Sequence, residues 1–258
     1  MIRKKIRRIL KKKFKNLRST IARIRKSFNS DDIHSFRLDV KKCTVLIDLI
    51  RYSGKNSNRY LLLPASLKKA YKILGGIRNF RIQEKKIQKE KIGVEFSLLN
   101  IYYDLLKCKE LNLRKDAKNL ICQHDIVSKK MVKNICARIK KQDIIQIDKF
   151  IYHNYREFDL LISKKEKTDG DYHSMRKLLK NIQYVQVLVK EKPTLYMAYS
   201  FRKNELAEIT DKLGEYHDFY TTLTHLEAEL PYIGSDGQDR SALMAVTQKW
   251  RTEKEVMR

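Results

Sequence analysis

Apolar side chains recur at steps of three and four residues along almost the whole chain. Ile33, Phe36, Val40, Cys43, Ile47 and Ile50 mark one such stripe, the spacing of a single helix face. Ile6, Ile9, Phe14, Leu17, Ile21, Ile24 and Phe28 mark another, at near-heptad intervals. No stretch needs the two-residue alternation of a half-buried strand, and 8 Gly with 3 Pro in 258 residues leave few breaks, so the pattern predicts an all-α chain. Breaks fall at SGKNSN (53–58), TDG (168–170), EKP (191–193) and GSDG (234–237). Between them the periodicity predicts helices over 3–28, 31–52, 60–89 and 91–110, then 129–166, 171–190, 199–230 and 238–258. Residues 112–128 bridge the two sets, and Asp32 and Asp171 stand where helix N-caps are expected.

The two sets of four helices repeat one another. DDIHSFRLDVKK and GDYHSMRKLLKN pair His34 with His173, Ser35 with Ser174, Arg37 with Arg176 and Lys41 with Lys180 at an offset of 139 residues. ILGGIRNFR and KLGEYHDFY pair Leu74 with Leu213, Gly75 with Gly214 and Phe80 with Phe219 at the same offset. Two separate matches at one offset point to an internal duplication, with residues 1–112 as the first copy and 113–258 as the second. The paired glycines are expected to let helices pack closely.

Charge narrows the partner. Lys and Arg number 57 against 30 Asp and Glu, a net +27 whose self-repulsion a polyanion would relieve. Thirteen of these cations lie in residues 1–30, which hold no acid. That basic amphipathic helix suits a membrane surface, a transit peptide or a nucleic-acid arm, or else a bundle helix with a solvated basic face. No run approaches the ~18 apolar residues of a membrane span, and the N-terminus lacks the apolar core of a secretory signal. Cys43, Cys108, Cys122 and Cys136 form no CxxC pair, and three of them sit in apolar stripes; reduced core thiols in a cytoplasmic protein are expected.

His34, Arg37 and Lys41, at i, i+3 and i+7, form a polar stripe beside the apolar one, and His173, Arg176 and Lys180 repeat it with Lys177 alongside. Tyr184 extends the second stripe by a turn. A metal site would need neighbouring ligands and no cations three residues away. A catalytic base would need an orienting carboxylate and a nucleophile, whereas Ser35 and Ser174 point about 100° around the helix from the histidines. ILGGIRN is no GxxxxGKS or GxxxxGKT loop. A histidine that merely packs at a helix start explains one copy less awkwardly than two. Phosphate uses all three residue types: Lys as point charge, Arg as a two-pronged donor, and His as a donor whose charged form the anion stabilises. Arg78, Arg81 and Lys85 add a basic row in the first copy that the second replaces with His217, Asp218 and Tyr220.

HSFRLDVKK, HSMRKLLKNIQY, LGGIRN and LGEYHD, in that order across about Asp32 to Leu226, resemble the CHAD domains, named for conserved histidines in an all-helical fold. The resemblance implies a single domain over 1–258 made of two four-helix bundles related by pseudo-two-fold symmetry. It implies inorganic polyphosphate held in a basic channel between the bundles, with no catalysis and no cofactor. It implies phosphate contacts from His34, Arg37, Lys41, Lys42, His173, Arg176, Lys177 and Lys180; Arg78 and Arg81 join them from the local charge pattern. Polyphosphate granules in the cytoplasm follow as the expected location. Thr44 and Gln183 stand where that family usually has a further Arg, and Asn79 where it has Asp. A nucleic-acid-binding helical protein is the alternative, distinguished by aromatics interleaved with the basic stripe for base stacking.

Overall fold

The structure, a computed structural model, describes residues 2–52, 61–90, 99–123, 125–137, 139, 144–188, 203–233 and 237–257. The described residues form an all-α chain of nine helices and one 3-10 turn, with no strand. The helices are α1 (Ile2–Ser27), α2 (Ser30–Tyr52), α3 (Ala65–Glu90), α4 (Asn100–Gln123), α5 (Lys129–Ala137), α6 (Ile144–Ile162), α7 (Asp169–Gln186), α8 (Lys203–Glu229) and α9 (Gly237–Val256). The breaks expected at 53–58, 191–193 and most of 234–237, and the helix ends expected at 91–98, 189–190 and 199–202, lie outside the described residues.

Three expectations are corrected. The presumed bridge at 112–128 is helical as far as Gln123, because Tyr102, Leu106, Glu110, Ala117, Leu120 and Ile121 keep one buried face running through it. The single helix expected over 129–166 is two, α5 and α6, and it ends at Ile162. Neither Asp32 nor Asp171 is an N-cap. Thr168 caps α7: its hydroxyl accepts from Asp171 N at 3.2 Å, and the Asp171 carboxylate accepts from Thr168 N at 2.9 Å, a reciprocal capping box. At α2 the side chain of Asn29 accepts from Asp31 N at 2.7 Å. Asp32 and Asp171, 139 residues apart, instead take a cation from the preceding residues: Arg23 of α1 at 2.7 Å and Lys164, just past the end of α6, at 2.6 Å.

The chain divides into two compact units, the first Met1–Tyr71 with Leu120–Leu213 and the second Lys72–Asn119 with Gly214–Arg258. In the first, α1 packs on α2, α6 on α7, and α2 on α7. The α1 stripe is core, with Leu10 in the place expected of Ile9, which is half-buried: Ile6, Leu10, Phe14, Leu17, Ile21, Ile24 and Phe28 are buried, each worth about 1.5–3 kcal/mol against exposure. Its basic residues clothe the rest of the helix. The α1–α2 turn puts Phe28 in the left-handed region at φ 49°, a conformation that costs a bulky residue about 1–2 kcal/mol, offset by burial of its ring. Lys13 and Asp39 pair at 2.7 Å across the same helix hairpin. Cys43 and Cys136 are buried, but Cys108 and Cys122 are exposed rather than core, since each lies off its helix's buried face.

The second unit holds the cluster of Tyr102, Leu106, Phe219, Leu223, Leu226, Leu243 and Trp250. Gln83 donates to the Tyr102 hydroxyl and, at 3.1 Å, to the Thr222 carbonyl 139 residues away. The tight helix approach expected at Gly75 falls at Gly76, where a Cβ would stand 2.5 Å from Leu113 Cδ1.

Candidate functional site

Eight of the ten predicted binding residues come from α2 and α7 of the first unit, the helices whose apolar stripes (Ile33 to Ile50; Met175, Leu179, Ile182 and Val185) are buried. Those stripes fix the azimuth of their neighbours, so His34, Arg37, Lys41 and Lys42 flank one core-facing stripe and His173, Arg176, Lys177 and Lys180 the other. Lys42 lies 5.5 Å from the centre of the Tyr184 ring, and Asp48 senses the charge of Lys177.

His34 and His173 are exposed, while Arg37, Lys41, Lys42, Arg176 and Lys180 are half-buried and Lys177 is exposed. The guanidinium of Arg37 lies 4.4 Å from the centre of the Tyr71 ring, and its Nη1 donates to the Tyr71 carbonyl at 2.8 Å. Arg176 Nε is buried and makes no hydrogen bond among the described residues, a donor whose desolvation is uncompensated. Lys180 has Asp211 at 3.6 Å, with that carboxylate largely in solvent.

Crowding of like charge marks the site. Burial, then Lys13 and Lys180, hold the Lys42 amine below its ordinary value despite Asp39. Burial and Arg176 do the same to Lys180 despite Asp211. Burial, then Arg176, Lys177 and Lys41, lower His173. All three groups resist carrying charge where they stand, so an anion here would gain from each of them.

Arg78 and Arg81 lie in the second unit and each has a carboxylate. Arg78 meets Asp218 at 3.0 Å, and Arg81 meets the buried Glu110 at 2.9 Å. Against burial that would raise it, hydrogen bonds from Arg114 and Arg81 hold Glu110 below the usual carboxylate range. Both arginines are thus tied to structural acids. The positions where an arginine was expected also have internal work: Thr44 donates to Val40 O at 3.0 Å, and Gln183 to Leu206 O at 3.1 Å and Thr210 Oγ1 at 3.2 Å. Tyr71, which holds Arg37, was not foreseen, because nothing in the local pattern of α3 announces a partner 34 residues earlier.

Among the described residues no three or more His, Cys, Asp or Glu side chains gather as a metal site would. Among them too, no helix is long and apolar enough to cross a membrane.

No protein-family profile matches the chain, and no curated protein matches it by sequence. Its fold does match solved structures. The chain is similar over 99% of its length to the crystal structure of the CHAD domain from the plant Ricinus communis, with a TM-score of 0.73, 11% identity and 87% of that chain covered. It is similar over 99% of its length to PptA from Streptomyces chartreusis, with a TM-score of 0.72, 10% identity and 95% of that chain covered. The all-helical character that the HSFRLDVKK and LGGIRN motifs imply is therefore observed, in a fold similar to that of a CHAD domain.

Proposed function

We propose that this chain binds inorganic polyphosphate, without catalysis, along the cationic face of α2 and α7. The observation that carries the reading is the gathering of His173, Arg176, Lys177, Lys180, Lys41 and Lys42 on these two helices, where burial and neighbouring cations make His173, Lys180 and Lys42 resist carrying charge. A repeating anion with one charge per phosphate relieves that repulsion along its length, and Arg176 Nε offers a desolvated donor to a phosphate oxygen. The similarity to a CHAD domain structure supports the choice of polyanion.

Nucleic acid is the competing polyanion. Recognition of unpaired bases uses exposed aromatic faces, but Tyr71 and Tyr184 already carry cations, Arg37 and Lys42 respectively. Polyphosphate needs no stacking platform. We propose also that the chain is a duplication, with copies 1–112 and 113–258. The matched roles of Asp32 and Asp171 and the meeting of Gln83 with Thr222 support this. Arg78 and Arg81 belong to the proposed binding set with a smaller share, their carboxylates competing with ligand. A cytoplasmic site of action at polyphosphate granules belongs to the same reading.

The test is competition. Labelled long-chain polyphosphate on the full chain is challenged with single-stranded DNA, duplex DNA and RNA at physiological salt, beside an Arg37→Ala, Arg176→Ala variant. Retention of polyphosphate against nucleic acid, with loss in the variant, is expected. Equal displacement by nucleic acid overturns the choice of ligand, and shortening of the chains in the presence of Mg²⁺ overturns the absence of catalysis.

A further inference from the structure

Away from the α2–α7 stripe, the first unit carries an open groove of about 670 Å³ lined by Arg7, Lys11, Lys15 and Arg18 of α1 and by Lys129 and Lys133 of α5, over an apolar floor that includes Val132 and Cys136. The α1 residues repeat every three or four positions and so project along one side of the helix, next to the buried stripe. No carboxylate is among the lining residues.

Two arginine donors there are buried and make no hydrogen bond among the described residues: Arg7 Nε and Arg18 Nη1. Arg7 is not loose. Its Nη2 donates to the carbonyls of Ala137 at 3.4 Å and Ile139 at 3.3 Å, which fixes the guanidinium while leaving Nε unspent. Lys11 and Arg7 both act electrostatically on the Cys136 thiol, so cations from α1 reach over the α5 floor. A fixed guanidinium, a second arginine with an idle donor and four lysines form a preorganised site for a compact, highly charged oxyanion. Its volume is in the range of small-ligand sites.

We propose that the α1–α5 groove is a second anion site that takes a short condensed phosphate, either free or as the end of a longer chain. It rests on the polyphosphate reading for the class of anion only, since none of its residues belongs to the α2–α7 stripe. Arg7 and Arg18 stand eleven residues apart on α1, about 16 Å along its axis, so different phosphates of one condensed chain would meet the two guanidiniums, with Lys11 and Lys15 between them.

Calorimetric titration of the full chain with inorganic tripolyphosphate tests this. The variants are Lys11→Gln with Lys15→Gln and Lys133→Gln, all exposed positions that leave the core intact, and separately Lys41→Gln with Lys177→Gln on the stripe. Two binding events per chain are expected. The α1–α5 variant should lose one by tenfold or more and keep the other within twofold, and the stripe variant the reverse. Arg18→Lys should weaken the groove event several-fold while keeping its charge. A single event removed by the stripe variant alone overturns the groove and leaves the polyphosphate reading standing. A single event removed by the groove variant alone supports the groove and overturns the stripe. Equal displacement of the groove event by sulfate at matched ionic strength overturns the preference for condensed phosphate. Long polyphosphate blocking the groove event in the stripe variant identifies a chain end as the occupant; failure to block leaves the free short anion.

Discussion

Arg37 and Tyr71 grip one another twice: guanidinium over ring at 4.4 Å, and Nη1 to the backbone carbonyl at 2.8 Å. The carbonyl survives any substitution at 71, so side-chain changes isolate the ring. Cation–π contacts range from about 0.5 to 2 kcal/mol with desolvation. Tyr71→Leu is expected to cost about 1 kcal/mol in urea unfolding and to weaken polyphosphate binding a few-fold, because Arg37 is no longer held flat. Tyr71→Phe keeps the ring face and is expected to match the native chain in both measurements. Equal losses in the two variants would assign the effect to the hydroxyl.

Asp211 stands 3.6 Å from Lys180 with 73% of its side chain exposed. On the proposed polyphosphate path it is the acid that a phosphate would displace from Lys180. Exposed pairs of this kind are worth about 0.2–1 kcal/mol, so Asp211→Asn should raise polyphosphate affinity about two- to three-fold in titration while leaving thermal stability unchanged. A fall in affinity would instead make Asp211 a positioning residue for Lys180.

The helices of the candidate site were legible because their apolar stripes keep the period: Ile33 to Ile50 repeats at three and four, and the one buried acid beside it, Asp39, is neutralised by Lys13 without breaking the repeat. The same rule failed where polarity intrudes. Asn112, Arg114, Lys115 and Asp116 sit on exposed or half-exposed positions of α4 and hide a stripe that continues to Ile121. The α5–α6 break was invisible because the intervening RIKKQD (138–143) holds no Gly or Pro. In the site, the charges were readable but their partners were not. Arg78 and Arg81 stood out only by the local charge pattern, and long-range packing gives them Asp218 and Glu110. Arg7 and Arg18 are two of thirteen cations in residues 1–30, and only the packing of α5 beside α1 sets them apart.

The capping box at Thr168 aims the first turn of α7, on which His173 sits. Losing a Thr cap costs about 1 kcal/mol, and Thr168→Ala should lose that much and speed amide exchange over 169–173. Lys164 first, then Thr168, draws the Asp171 carboxyl down to about 2. A depressed acid stabilises the fold above its ordinary value of 3.8 and loses that contribution as pH falls through about 2. Lys164→Gln should therefore raise the pH at which acid weakens the fold, in far-UV circular dichroism followed down from pH 5.

His173 sets the sign of the pH response. In the free chain, burial and then Arg176, Lys177 and Lys41 hold its value below the ordinary 6.5. The unfolded chain then binds more protons in that window, and the folded chain loses stability as pH drops below about 6.5. Polyphosphate reverses the local field. An anion beside the imidazole favours the imidazolium and raises its value, so binding takes up a proton and affinity increases as pH falls. The rise in melting temperature caused by polyphosphate should accordingly be larger near pH 5.5 than near pH 7.5. Calorimetry in buffers of different ionisation enthalpy should show net proton uptake. His173→Gln, which keeps a donor but cannot gain charge, should flatten the part of the profile that belongs to this ring while leaving affinity near pH 7.5 within about two-fold. An unchanged pH profile in His173→Gln would put the ligand out of reach of α7's first turns and move the polyphosphate path toward Lys180 and Lys42.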